Sequence, residues 1–474
     1  MAILLEDVTL ITTGIKKPVL TGQQIIIDRG VVADVGRQVD LQKFPVRKRI
    51  DCSEKIVMPG LINAHSHLTE VLQRSFRDNV RMETWREYRA GTEKAVRLTP
   101  EDITAAASLA CAEMLKAGVT AVVDHFSTRP SLSVENMRAI VSAFDRTGIR
   151  GVLAPSLRDQ DFLTLLKDRS GKKSSAGEEP WEEKVLEIIR DTQKTSKRTS
   201  VMLGPSNPLN CSDSLLLKVV EIAEAQNLGI HTHLLETKLQ QWGARRLYSG
   251  GVVARLQKLG LLSPRLSAAH GIWLTEREMD FMASAGASVV HNPASNLKLG
   301  SGLAPVIKLR NRGVNVALGT DGGDTSDTYS IFEQMRLAAF LSRLTSEDSA
   351  QWVTSREALR MATLNGARAI PAWRNKIGKI QKGYCADLVV LKPHLRLCPL
   401  NDIVNQLVYC ESGQSVDTVF VNGEIVLRNG RLLRVDERRL TEQVQSVSEK
   451  MYRTYQRLPR HGSDLRFDMK RDWI

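Results

Sequence analysis

Between Pro59 and residue 376 the chain repeats one unit eight times: a short apolar run, then a longer amphipathic stretch. The runs are LINAHSH (61–67), VTAVVDHF (119–126), RGVLAPSL (150–157), SVMLGPS (200–206), GIHTHLL (229–235), RLSAAHGIWL (265–274), ASVVHNPAS (287–295) and VNVALGTDG (314–322). EDITAAASLACAEMLKAG and SDSLLLKVVEIAEAQN are two of the helical spacers. Continuous apolar runs belong to strands buried on both faces, the situation of parallel strands covered by helices. Eight such units predict an α/β fold, a (β/α)8 TIM barrel over residues 58–376.

The chain ends have a different rhythm. ILLEDVTLIT, QQIIIDRGVVADVG and KRIDCSEKIVM, all near the start, are strand-like runs broken by Gly and Asp. ADLVVLK and TVFVNGEIVLRNG follow the barrel, and Asn422-Gly423 inside the second signals a tight hairpin. Residues 1–57 and 377–435 are therefore expected to pair into one small β-sandwich domain, leaving 436–474 as a basic C-terminal helix and tail. The polar stretch 168–184, DRSGKKSSAGEEPWEEK, reads as a surface loop on the face where the strands end.

Composition narrows the partners. The net charge of +13 is spread along the chain and its aromatics do not interleave with the basic residues, so a solvated basic surface is the reading and no nucleic-acid partner is expected. No apolar run approaches the ~20 residues of a membrane helix, and MAILLEDVTL lacks the pattern of a signal peptide. Six cysteines with no C-x-x-C pair suit a reducing compartment and point to the cytoplasm.

Seven of the nine histidines lie in or just after the barrel runs: His65, His67, His125, His231, His233, His270 and His291. Barrel enzymes carry their chemistry at the C-terminal ends of the strands. Residues i and i+2 of a strand share a face, so His65 and His67 point the same way, as do His231 and His233. Glu236 follows at the end of the fifth run and Asp321 at the end of the eighth. Three histidines and an aspartate from three strands make a site for zinc or ferrous iron with a position open to water. Spacing leaves open whether His231 or His233 is the ligand.

The run VMPGLINAHSH resembles the signature of the amidohydrolase superfamily, and HTHLLET, AAHGIWL, HNPASNLKLGSGLAP and LGTDGG follow in that superfamily's order. The branch it is most similar to holds methylthioadenosine and S-adenosylhomocysteine deaminases, guanine deaminase and the s-triazine chlorohydrolases and aminohydrolases. GKIQKGYCADLVVL resembles the segment where such chains re-enter their β-sandwich, and the similarity runs from residue 1 to about 430. It implies His65, His67, His233 and Asp321 as ligands of one divalent metal, zinc ahead of ferrous iron. Glu236 would be the proton shuttle, His270 would orient the attacking water, Asp321 would also accept a hydrogen bond from that water, and His231 would pack one layer lower. The fourth run, SVMLGPSNP, lacks the lysine of binuclear relatives, which favours a single metal. Such an ion lowers the pKa of its water from about 15.7 to about 7, and a nearby carboxylate can relay the proton.

Substrate contacts are expected from Trp85, His125, His291, Ser295 and Asn296. Asp324 and Asp327 stand where the family more often has uncharged residues, which suggests a cationic or amino-rich substrate. The function expected is a metal-dependent hydrolase (deaminase or aminohydrolase) in which metal-bound hydroxide displaces an amino group from an electron-poor N-heterocycle or amidine-like carbon. An alternative keeps the site but cleaves a C–Cl, urea, carbamate or thiocarbamate bond. A metal-free binding paralogue is a third reading, opposed by the complete ligand set. The partner is a small molecule, with no membrane partner, and the family habit suggests a homo-oligomer, a dimer or larger.

Overall fold

The computed structural model describes residues 2–14, 17–127, 132–167 and 181–458. Most of the loop expected at 168–184 lies outside them, as does the tail after 458, whereas Trp181 already opens the helix Trp181–Thr195.

Eight barrel strands occur in chain order: Leu61–His67, Val119–Asp124, Arg150–Leu153, Thr199–Pro205, Gly229–Leu234, Leu266–His270, Ser288–His291 and Asn315–Leu318. Each pairs in parallel with the next. Closure comes from a step at the end of the eighth. There Gly319 N–H donates to His291 O (3.0 Å) and Thr320 N–H donates to His65 O (3.1 Å). Asp321–Gly322 then pairs in parallel with Ser66 and His67 of the first strand. Gly319 is needed at this step, since a Cβ there would stand 2.5 Å from Asn292 Oδ1 and 2.9 Å from His65 Cβ.

The strands read as continuous apolar runs because both faces are covered. All seven residues of Leu61–His67 are buried. Inside, small side chains such as Ala64, Ala121, Ala154 and Ala317 leave room for a plug of Ala369, Ile370 and Trp373. Outside, helices such as Pro100–Lys116 pack on the sheet. That helix starts with a capping box between Thr99 and Asp102 and a Pro at its first turn, a combination that satisfies otherwise orphaned N–H groups.

The chain ends build one second sheet of nine strands. Its seam is Ile56–Pro59 against Leu388–Leu391, antiparallel, with Met58 opposite Val389. Ile56–Pro59 also pairs in parallel with Ala2–Ile11. The hairpin from Val416–Val421 to Glu424–Arg428 turns at Asn422 (φ 51°) and Gly423 (φ 75°), both left-handed as a tight two-residue turn requires. Arg150, which opens the third barrel strand, clips the two sheets together: its Nε and a terminal nitrogen reach the Asp387 carboxylate at 2.8 and 3.0 Å.

The C-terminal helix Glu437–Arg457 buries Leu440, Val444, Val447 and Met451. Its Tyr455 ring stacks on Phe76 and meets Tyr88 edge-on. No helix among the described residues is long and apolar enough to cross a membrane.

Candidate active site

A cavity of about 800 Å³ opens at the C-terminal ends of the strands, with His67, His233, His270, Asp321 and Glu236 among its lining. The positions follow from the strands. His65 and His67 share a face of the first, His231 and His233 of the fifth, and His270 ends the sixth. His270 (φ 72°) and Asp321 (φ 67°) both hold left-handed backbone, a conformation that costs a non-glycine residue ~1–3 kcal/mol and gathers at functional sites.

Hydrogen bonds fix the tautomers of the inward-facing imidazoles. His67 Nδ1–H donates to His125 O (2.6 Å), and His233 Nδ1–H donates to Ser206 O (2.5 Å). His270 Nδ1–H donates to Asn296 Oδ1 (2.9 Å). His65 Nδ1–H donates to His231 Nε2 (2.8 Å), and His231 Nδ1–H passes the chain on to Ser267 Oγ (3.2 Å). Every Nε2 of His65, His67, His233 and His270 is thereby left as a lone pair. Donating the other ring nitrogen to a carbonyl or side chain is how metal-binding histidines are held.

The lone pairs converge. His67 Nε2 and His233 Nε2 are 3.1 Å apart. Asp321 Oδ1 lies 3.3 Å from His65 Nε2 and 3.4 Å from His67 Nε2, and its Oδ2 lies 3.9 Å from His270 Nε2. Ser295 Oγ–H donates to Asp321 Oδ2 at 2.6 Å, which turns Oδ1 toward the imidazoles. His65 Nε2 is buried with no hydrogen-bond partner among the described residues. One ligand atom each from His65, His233, His270 and Asp321 fits within a 4.8 Å span. A knot of acceptors without donors is unfavourable unless a cation sits among them, and neutral imidazole plus carboxylate suits zinc or another divalent transition metal.

Protonation agrees with that reading. Burial holds His65, His67 and His231 well below the usual imidazole range and His233 at about 4, so all are neutral near pH 7. Burial alone would raise Asp321, but the imidazoles packed round it, His65 first, more than offset that and hold its carboxyl well below the usual carboxylate range. Glu236 behaves differently. Burial pushes its carboxyl up to about 7, and among the described residues its side chain accepts only a long hydrogen bond, from Ser301 Oγ–H at 3.4 Å. A carboxyl poised near neutrality can both take and give a proton.

Of the other expected contacts, Trp85 and His125 line the cavity. His291 and Asn296 do not. They border a small separate cavity with Gly302 and Ala304, and Asn296 serves to hold His270. Asp324 and Asp327 are also absent from the wall, which corrects the expectation of free carboxylates at the mouth. Asp324 is buried against Trp85 Nε1 (2.9 Å) and Arg77 (3.4 Å). Asp327 is held by Lys298 and by Ser75 N–H (3.0 Å). Both negative charges are already matched, so they give no reason for a cationic substrate.

Sequence reasoning missed Ser206, Ser267, Arg86 and Arg158. Ser206 acts through its backbone carbonyl, which any residue could supply, so no side-chain signal marks it. Ser267 had one: it sits directly across from His231 in the strand register. Arg86 and Arg158 line the cavity, and neither makes an ion pair with a carboxylate among the described residues.

Comparison with known proteins places these features in context. The profile of the amidohydrolase family matches residues 56–426. A 5-methylthioadenosine/S-adenosylhomocysteine deaminase of Pyrococcus furiosus is 36% identical over 429 residues, covering 90% of this chain and 95% of its own. A solved adenosine deaminase from Xanthomonas campestris with bound zinc superposes with a TM-score of 0.85 at 28% identity, covering 95% of this chain and 98% of that one. An atrazine chlorohydrolase from Arthrobacter aurescens complexed with zinc gives 0.85 at 25% identity, covering 94% and 100%.

Proposed function

The chain belongs to the amidohydrolase family, and from that premise we propose that it is a zinc-dependent deaminase of adenine nucleosides carrying a substituent on the ribose 5′ carbon. A hydrolase acting on carbon–nitrogen bonds through a divalent metal is the coarser statement, and zinc is preferred to ferrous iron because the solved neighbours carry zinc. The observation that carries the reading is the convergence of lone pairs from His65, His67, His233 and Asp321 beside a carboxyl titrating near neutrality.

Those four residues would hold a zinc ion, which would supply the Lewis acidity that makes a water nucleophilic near pH 7. The side chains do the rest. Asp321 accepts a hydrogen bond from the water and aligns it. Glu236 takes the water's two protons in turn, passing one to the ring nitrogen and one to the departing amine. His270, locked by Asn296, presents Nε2 to the same space and orients the nucleophile. In balance, water adds to the sp² carbon, the C–N bond breaks, ammonia leaves, and the carbon keeps the oxygen as a carbonyl. Holding these groups in register replaces a bimolecular encounter with an effectively unimolecular step.

The substrate class rests on the relatives and on the wall. A cavity of about 800 Å³ accommodates a nucleoside with a tail. Arg86 and Arg158 suit a carboxylate on that tail, as S-adenosylhomocysteine has, since guanidinium pairs with carboxylates bidentately. Cleavage of a C–Cl bond is the second reading, favoured by the likeness to the atrazine chlorohydrolase. The setting proposed is the cytoplasm, with a homo-oligomer as the working form, which sedimentation velocity would test.

The test is ammonia and chloride release by zinc-loaded protein across S-adenosylhomocysteine, 5′-methylthioadenosine, adenosine, guanine and a chlorotriazine. Ammonia from the first two at the highest kcat/KM supports the reading. Turnover of the chlorotriazine alone replaces it with the second.

A further inference from the structure

We propose that Asp324 is a positioning residue for substrate binding, which sets affinity by holding the Trp85 indole in the cavity wall; this rests on the deaminase reading above. Trp85 sits on the helix Met82–Ala95, which overhangs the site. That helix has little apolar surface to hold it: Trp85 and Thr92 are its buried residues. Its anchorage is polar instead. Trp85 Nε1–H donates to Asp324 Oδ2 at 2.9 Å, and Asp324 is 3% exposed. Arg77 lies 3.4 Å from the same oxygen and donates onward to Gln73 Oε1 (2.7 Å) and to Thr92 Oγ1 (3.3 Å). Thr92 is seven residues from Trp85, two helical turns along the same face. The helix is thus pinned twice by one Asp324–Arg77 pair.

A second tie lies between the two pins. Arg89 stacks over the Trp85 ring, 5.3 Å from its centroid, and pairs with Glu70 (2.5 Å) and Glu93 (2.7 Å). Glu70 belongs to the turn after the first strand and stands directly over Gly322, where a Cβ would approach it to 1.7 Å. The wall helix is therefore bolted to the two chain segments that follow His67 and precede Asp324. Asp324 itself comes three residues after the candidate ligand Asp321, so the turn that closes the barrel also fixes the indole.

A buried hydrogen bond to a charged acceptor is strong, and leaving both Trp85 Nε1–H and Arg77 without their partner is unfavourable. Loss of the Asp324 carboxylate lets the indole leave its pose. The chemical groups on strands one, five, six and eight stay where they are. The signature is in KM.

The experiment uses zinc-loaded full-length protein with the Asp324→Ala, Asp324→Asn and Trp85→Phe variants and the Trp85→Phe/Asp324→Ala double variant. Asp324→Ala is expected to raise KM about tenfold or more with kcat within about threefold, with zinc content unchanged. Trp85→Phe should raise KM by itself, and Asp324→Ala should add nothing in that background. Hydrogen exchange of peptides covering 82–95 should quicken in Asp324→Ala. If Asp324→Ala does not fold, Asp324→Asn and Trp85→Phe carry the same comparison. An unchanged KM, an additive double variant, or a fall in kcat together with zinc loss would overturn the proposal. Should the unsubstituted protein release no ammonia, the deaminase reading fails first, and the exchange of 82–95 still decides whether Asp324 holds the helix.

Discussion

His67 Nε2 and His233 Nε2 stand 3.1 Å apart, and neither carries the proton that would make the approach a hydrogen bond. Both rings have already given Nδ1–H to backbone carbonyls, of His125 and Ser206. Two lone pairs facing each other repel, so the fold gains when a cation lies between them. Chelation should lower the midpoint of thermal unfolding, and zinc in hundredfold excess over Kd should restore ~2.7 kcal/mol. Calorimetry with and without chelator checks this. A midpoint indifferent to zinc would mean the acceptors are not a metal site.

Glu236 sets the expected pH profile. Its carboxyl is raised to about 7 by burial and accepts a proton only when ionised. Activity should therefore be low below pH 7, rise through it and level off above. Glu236→Gln should cut kcat by ~10²–10⁴-fold, keep its zinc and lose that limb of the profile. A Gln variant that keeps the limb would assign it elsewhere.

The pair of Arg150 and Asp387 joins the barrel to the second sheet with both partners buried, and Asp387 Oδ1 also accepts Asn422 N–H at 2.7 Å. Removing one partner of a buried pair strands the other. Asp387→Ala should cost ~3–5 kcal/mol in urea unfolding, with the zinc site intact in the folded protein. A loss below ~1 kcal/mol would show that the clip is dispensable.

Gly319 bears on the site through space alone. A Cβ there would press on Asn292 Oδ1 and on His65 Cβ and backbone nitrogen, so Gly319→Ala should weaken zinc binding at least tenfold by displacing His65. Gly313 meets nothing within 4 Å but has a φ of 82°, and Gly313→Ala should show only the ~1 kcal/mol of left-handed strain. Zinc titration of the two variants separates these effects.

Much of this was legible in the sequence for local reasons. Buried parallel strands announce themselves as apolar runs, and two-residue alternation puts His65 with His67 and His231 with His233. The pairing of Ile56–Pro59 with Leu388–Leu391 was expected only in outline, because partners more than three hundred residues apart carry no shared local pattern. Asp324 and Asp327 were misjudged for the same reason. Their chemistry is set by Arg77, Trp85, Ser75 and Lys298, which come from other segments. Carbonyl acceptors such as Ser206 O leave no trace in a list of side chains.

The most direct measurement is an anomalous difference map at the zinc edge from crystals of zinc-loaded protein. A single strong peak is expected ~2.0–2.2 Å from Nε2 of His65, His67 and His233 and from one Asp321 oxygen. A peak bound elsewhere, or none within bonding reach of those four side chains, would contradict that assignment.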